Sequence, residues 1–200
     1  MKPHQWEGVR FIWRNMVMTS NEEQSCILAH SMGLGKSLQV VVFLHLYHTV
    51  VAGERSLLVV PANVVYNWQA EFAKWLPRPR SDDAKDSELQ LEKVFVFEHT
   101  DDVEAWSQDV GSVLIISYTQ FANKVLVVSS KKSKTDKDCE QDAHLRKLLR
   151  SSASIVVADE AHELRNPAAK KCKALSLVST TKRLALTGYP LQNRLGEYYS

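Results

Sequence analysis

Cysteine is scarce in this 200-residue chain: Cys26, Cys139 and Cys172 are an odd number with no C-x-x-C pair. That argues against a disulfide framework and a zinc finger, and fits a reducing compartment, cytosol or nucleus. An excess of charge is also missing, with 25 Lys and Arg against 23 Asp and Glu and a net charge of +2. Such a balance neither requires nor excludes an anionic partner, so any nucleic-acid face must come from local patches. No long apolar run is present either. The longest, Leu38 to Val51, is interrupted by Gln39, His45, His48 and Thr49 and cannot span a bilayer. The N-terminus has neither a continuous apolar core nor a small-residue cleavage site, and the chain reads as soluble. What remains is ordinary globular composition, 44% hydrophobic and 24% charged, which predicts one domain.

Trp6, Val9, Ile12 or Trp13, and Met16 or Val17 recur at helical spacing after Pro3 and predict an opening amphipathic helix. Short apolar runs then predict strands at 26–29, 57–60, 94–97, 113–116, 155–158 and 184–186. They are apolar on both faces, as central parallel strands are. A helix from Lys36 to Ala52 closed by Gly53, and another carrying Val65, Trp68, Phe72 and Trp75, alternate with them. The series predicts an α/β fold, a mostly parallel sheet with helices on both faces. Two polar segments, 77–88 and 129–142, break the rhythm and read as surface insertions. No internal repeat is visible.

The strand ending at Ala29 runs through His30, Ser31, Met32, Gly33, Leu34, Gly35, Lys36 and Ser37 into a helix. This is the context of a phosphate-binding loop, in which glycines let backbone N–H groups point at phosphate oxygens and the helix N-terminus adds its dipole. Lys36 then reaches the β and γ phosphates and the Ser37 hydroxyl is placed for magnesium, so the cofactors implied are ATP and Mg²⁺. His30 stands where the usual pattern has its first glycine. A plain helix-entry turn is the bland alternative for Gly-Leu-Gly-Lys-Ser.

A phosphate loop of this kind needs an acid at the end of a neighbouring buried strand. Asp159 and Glu160 follow Ile155-Val156-Val157-Ala158 and arrive at the edge of the sheet where open α/β folds bind ligands. Asp159 is expected to hold magnesium, directly or through water, and Glu160 to orient and deprotonate the attacking water. Two acids can also simply cap a helix. The full string Asp159-Glu160-Ala161-His162 favours nucleotide hydrolysis.

With these motifs in place the chain resembles a helicase-like ATPase of superfamily two, the SWI/SNF (sucrose-non-fermenting-like) branch, and within it the ATRX-like group. The resemblance runs from Lys2 to about Tyr199. It implies the first RecA-like P-loop lobe of a DNA-dependent ATPase that translocates on double-stranded DNA, acts on chromatin in the nucleus, and works with a second RecA-like lobe. Lys2-Pro3-His4-Gln5 with Gly8 and Phe11 is similar to the opening motif, whose glutamine reads adenine; that role falls on Gln5. Val59-Val60-Pro61 with Asn67-Trp68 and Glu71-Phe72, and then Ile116-Ser117-Tyr118, resemble the motifs that approach DNA. Pro61, Asn63, Asn67, Ser117 and Tyr118 are the contacts this implies. Thr187, Gly188 and Gln192, with His162 linking toward Thr187 or Gln192, resemble the segment coupling hydrolysis to lobe movement. Tyr189 stands where the family usually has Thr. Under this resemblance the chain ends at Ser200 before the second lobe, and no segment is left over to supply it.

Blander readings stand beside these. Trp68 and Trp75 lie on one apolar stripe, which predicts core packing for both rather than base stacking. His45 and His48, three apart on a helix, lack a third metal ligand at recognisable spacing. A non-catalytic nucleotide-binding or interaction module, and an RNA helicase lobe, are the alternative functions.

Overall fold

Period-two alternation inside the apolar runs divides the central strands between two cores. In β2 (Ser56–Val60), Leu58 and Val60 enter one core while Leu57 and Val59 enter the other. β4 (Val113–Ser117) and β5 (Ile155–Ala158) divide in the same way. A sheet covered on both faces must be apolar on both, which is why these strands read as unbroken hydrophobic runs. The computed structural model describes residues 1–19, 25–51, 53–76, 93–126 and 136–188.

With β1 (Ser25–Ala29), β3 (Val94–Val96) and β6 (Arg183–Thr187), the strands form one six-stranded sheet in the order β1-β6-β5-β2-β4-β3. Every described pairing is parallel. Each predicted strand is therefore present, and the register extends most of them by one or two polar residues, such as Ser25 opposite Arg183 and Ala29 opposite Thr187.

One face is covered by α1 (Pro3–Trp13), α2 (Lys36–Val50) and α3 (Val65–Trp75), through Val9 and Ile12, Val40 to Tyr47, and Val65, Trp68 and Phe72. The other is covered by α4 (Thr100–Gln108), α5 (Tyr118–Val125), α6 (Asp136–Ser151) and α7 (Lys170–Leu175), whose anchors include Trp106, Phe121, Leu149 and Leu175. The result is a three-layer α/β/α sandwich. A π-helical turn, Arg14–Met18, follows α1 and buries Met16. Among the described residues no helix is long and apolar enough to cross a membrane.

Two expectations change. Trp75, the last residue of α3, is 42% exposed and its indole donates to Glu71 Oε2 on its own helix, so only Trp68 of the pair packs in the core. The segment 129–142, read as a polar insertion, contains the start of α6 at Asp136. The other polar segment, 77–88, lies outside the described residues.

Candidate active site

β1 delivers its C-terminal end to the loop at His30, and α2 begins at Lys36. The loop turns through Gly33 at φ 83° and Gly35 at φ 75°, a left-handed region that side chains with a Cβ disfavour. Gly35 has a second reason: a Cβ there would lie 2.4 Å from Gln5 Nε2. The predicted adenine reader thus sits directly on the loop. Gln5 accepts from the Lys2 backbone N–H at 2.8 Å and donates to Leu34 O at 3.4 Å. Lys36 Nζ donates to His30 O at 2.7 Å and Ser31 O at 3.4 Å, so loop carbonyls hold the ammonium over the loop it would share with phosphate.

A buried residue behind the loop was not singled out by the sequence reading. Gln39, fully buried in α2, donates from Nε2 to Leu34 O (3.3 Å) and Gly35 O (3.2 Å), and lies 3.5 Å from His30 Nδ1. A buried amide on an otherwise apolar helix face was the available signal, since buried polar groups are kept where they have partners. The same contacts give His30 a structural task in place of the missing first glycine. Burial, then the charges of Lys36 and His4, push its imidazole below the ordinary histidine range.

β5 ends at Ala158 and delivers Asp159 and Glu160 beside the loop. The Asp159 backbone N–H donates to Val59 O at 2.9 Å, its Oδ1 accepts from the Glu160 N–H at 2.8 Å, and its Oδ2 accepts from Trp68 Nε1 at 2.8 Å. Burial raises the Asp159 carboxyl above its ordinary range, opposed by the bonds from Trp68 and Glu160 and by the charge of Lys36. Glu160 has φ 47°, the only described non-glycine residue with positive φ. Its Oε2 stands 3.1 Å from His162 Nδ1, off the line of a good hydrogen bond.

Gln5, Met32, Gly33, Gly35, Lys36, Ser37, Asp159 and Glu160 line one cleft of about 760 Å³. Met1, Lys2, Leu38 and the α3 residues Trp68, Glu71, Lys74 and Trp75, none of them expected there, complete it. The donor set fits magnesium. A serine hydroxyl and a buried carboxylate, both lining the cleft, are hard oxygen ligands.

Thr187 and Gly188, expected to couple hydrolysis to lobe movement, fall beside the loop. Thr187 is buried opposite Ala29 in the sheet, and a Cβ on Gly188 would stand 3.2 Å from Met32 Cγ and 3.8 Å from Lys36 Nζ. Gln192 and Tyr189 lie outside the described residues. Of the DNA contacts, Asn63 and Asn67 are exposed and Pro61 half-buried. Ser117 and Tyr118 are not surface groups. Ser117 Oγ caps α5 by accepting from the Gln120 N–H, and the buried Tyr118 hydroxyl donates to Asp159 O at 2.7 Å. Both side chains are buried and bonded inward, so they offer no exposed side-chain group for such a contact.

The histidine pair also resolves. His48 is buried with Nδ1 3.1 Å from Glu54 O and Nε2 2.9 Å from Ser56 Oγ. A carbonyl can only accept, so Nδ1 carries the proton and Nε2 accepts from the hydroxyl, leaving neither nitrogen for a metal.

The SNF2-related domain matches residues 4–200. Protein CHROMATIN REMODELING 20 of Arabidopsis thaliana is 36% identical over 212 residues, taking in all of this chain and 13% of that protein. Transcriptional regulator ATRX of Homo sapiens is 37% identical over 210 residues, all of this chain and 8% of its own length. Helicase ARIP4 of Homo sapiens is 34% identical over 234 residues, all of this chain and 16% of its own length. The chain therefore spans a small part of these relatives. The Sulfolobus solfataricus SWI2/SNF2 ATPase core in complex with dsDNA superposes with a TM-score of 0.66 at 24% identity, covering 99% of this chain and 34% of that one, a likeness of fold. A parallel sheet that brings a phosphate loop and an Asp-Glu-Ala-His box to one edge, matched along nearly its whole length, places the chain in the SNF2-related domain family.

Proposed function

We propose that the chain is the ATP-binding lobe of a DNA-dependent ATPase that moves along double-stranded DNA and remodels chromatin or other DNA-bound protein in the nucleus. The observation that carries this reading is the convergence of Lys36, Ser37, Asp159 and Glu160 on one cleft at the C-terminal edge of the sheet. Gln5 orients the nucleobase end, and the loop amides with Lys36 take the β and γ phosphates. Lys36 exchanges the His30 and Ser31 carbonyls for phosphate oxygens. Ser37 and Asp159 would hold magnesium, which when bound neutralises charge on the phosphate oxygens.

Glu160 accepts a proton from the attacking water as the water oxygen bonds to the γ-phosphorus and the bond from that phosphorus to the bridging oxygen breaks, releasing ADP and phosphate. His162, 3.1 Å from Oε2, lies beside that carboxylate. Charge developing on the γ-phosphoryl needs a cation from the opposite side, assigned here to an arginine of a second RecA-like lobe. Its contribution is about 10³ to 10⁵ in rate, so the lobe by itself binds Mg–ATP and hydrolyses it very slowly. Asn67 on the exposed side of α3 and Asn63 in the turn before it are the groups that face the duplex backbone.

The test has two stages. A fluorescent ATP analogue should bind residues 1–200 with magnesium present. Phosphate release by the full-length protein should rise with duplex DNA and not with single-stranded RNA. No nucleotide binding overturns the site; binding without turnover under any nucleic acid supports a non-catalytic module, and stimulation by RNA alone supports an RNA helicase.

A further inference from the structure

Trp68 is 4% exposed and packs near Phe72 with 6.2 Å between ring centroids, so by packing alone it is a core residue. An indole has a polar edge as well, and a buried N–H left without a partner is costly. The partner is not a neighbouring turn of α3. It is Asp159 Oδ2, 2.8 Å away and 91 residues distant in sequence.

Three other bonds hold the same residue: Asp159 N–H to Val59 O at 2.9 Å, Tyr118 hydroxyl to Asp159 O at 2.7 Å, and Glu160 N–H to Oδ1 at 2.8 Å. The first two fix the backbone; only the third, together with the Trp68 bond, reaches the carboxylate. The Glu160 bond is made to the adjacent residue and anchors one oxygen; without a second anchor the carboxylate can rotate about its Cβ–Cγ bond. Trp68 supplies that second anchor from a different element. Each oxygen still keeps a lone pair for a further ligand, and Trp68 lines the cleft together with Ser37.

We propose that Trp68 is a positioning residue for Asp159, its indole N–H fixing the carboxylate plane in the orientation that takes magnesium and joining α3 to the acidic box. This rests on the reading of Asp159 as the magnesium-side acid. Hydrogen-bond partners that orient a metal ligand contribute about 10- to 100-fold in metal affinity, and the same order is expected here. The bond also makes α3, whose next residue Asn67 is exposed, and the acid one mechanical unit.

The decisive variant keeps the shape and removes the donor: Trp68 replaced by 3-benzothienylalanine, with sulfur in place of the N–H. Trp68→Phe is its genetically encoded counterpart and Tyr118→Phe the control that removes a bond to the backbone. ADP binding is followed by calorimetry in EDTA and over a series of free magnesium concentrations. The expected result is an unchanged affinity in EDTA and a half-saturating magnesium concentration raised about tenfold or more by loss of the indole N–H, with a smaller change for Tyr118→Phe. A wild-type magnesium dependence in the benzothienyl protein, or an equal loss of affinity with and without magnesium, overturns the assignment of Trp68 alone. Wild-type protein whose nucleotide affinity ignores magnesium overturns the reading of Asp159 and this proposal with it.

Discussion

Gly8 and Gln39 meet where α1 crosses α2, and a Cβ built on Gly8 would lie 1.8 Å from Gln39 Oε1. Gln39 is the buried amide that holds the Leu34 and Gly35 carbonyls, so the space at Gly8 is what allows the phosphate loop its tether. Gly8→Ala should therefore act on nucleotide binding more than on folding. Alanine gains up to about 1 kcal/mol in helix propensity over glycine, which offsets part of the steric cost, while the displaced amide releases the loop. Gly8→Ala and Gln39→Leu are each expected to weaken nucleotide affinity roughly 3- to 10-fold, within the range of a lost hydrogen bond. The double variant should be little worse than either single one, because both break the same tether. Additive losses by fluorescence titration would show that Gly8 acts through something other than Gln39.

Lys36→Ala should weaken ATP and ADP binding by about 10- to 100-fold, the scale of one charge-assisted hydrogen bond. Removal of the ammonium frees only the His30 and Ser31 carbonyls, which sit at the loop surface or partly exposed, so the fold is expected to survive. Equal affinities in wild type and variant, both folded by circular dichroism, would contradict the loop assignment.

Glu160→Gln keeps the side-chain shape and removes the proposed base. In the full-length protein with duplex DNA it should lower phosphate release by about 10² to 10⁴ and leave nucleotide affinity within about threefold. A matched fall in affinity would instead mark Glu160 as a binding group.

His48 makes stability depend on pH. Burial lowers its imidazole from 6.5 to about 4, opposed by its bond to Glu54 and reinforced by His45. Between those values the unfolded chain binds a proton that the folded chain refuses, so stability is complete above about pH 6.5 and falls as pH drops toward 4. The single-site loss is about 3 kcal/mol at most. His45 and His30, also lowered, act in the same sense, whereas Asp159, raised by burial, acts in the opposite sense near the carboxylate range. Urea melts from pH 4 to 7.5 should show a shallower slope in His48→Gln than in wild type.

The strands and the phosphate loop were legible because their signals are local. A doubly covered parallel strand has to be a short apolar run, and the loop has to have glycine where φ is positive. What was not legible depends on pairing across the chain. Trp68 reads as an apolar stripe residue, and its partner lies at the end of β5, adjacent to β2 in the sheet but distant in sequence. Tyr118 reads as a surface aromatic in a DNA motif, yet its hydroxyl belongs to Asp159. Trp75 follows the stripe period to the last residue of its helix, where it is open to solvent. α6 was hidden for a different reason: Leu145 and Leu149 are its buried anchors, both near its end, so its polar first half carries no periodicity.

The backbone at Glu160, turned to φ 47°, carries a further consequence. A left-handed residue with a Cβ costs roughly 1 to 2 kcal/mol, and glycine relieves most of that. Selecting variants for thermal tolerance alone should thus enrich Glu160→Gly, raising the melting temperature, while selecting for turnover should reject the same change. Two screens of one library would disagree in sign at this residue, marking it as a place where turnover keeps a strained backbone; a Glu160→Gly protein that melts below wild type would show that the turn is relaxed.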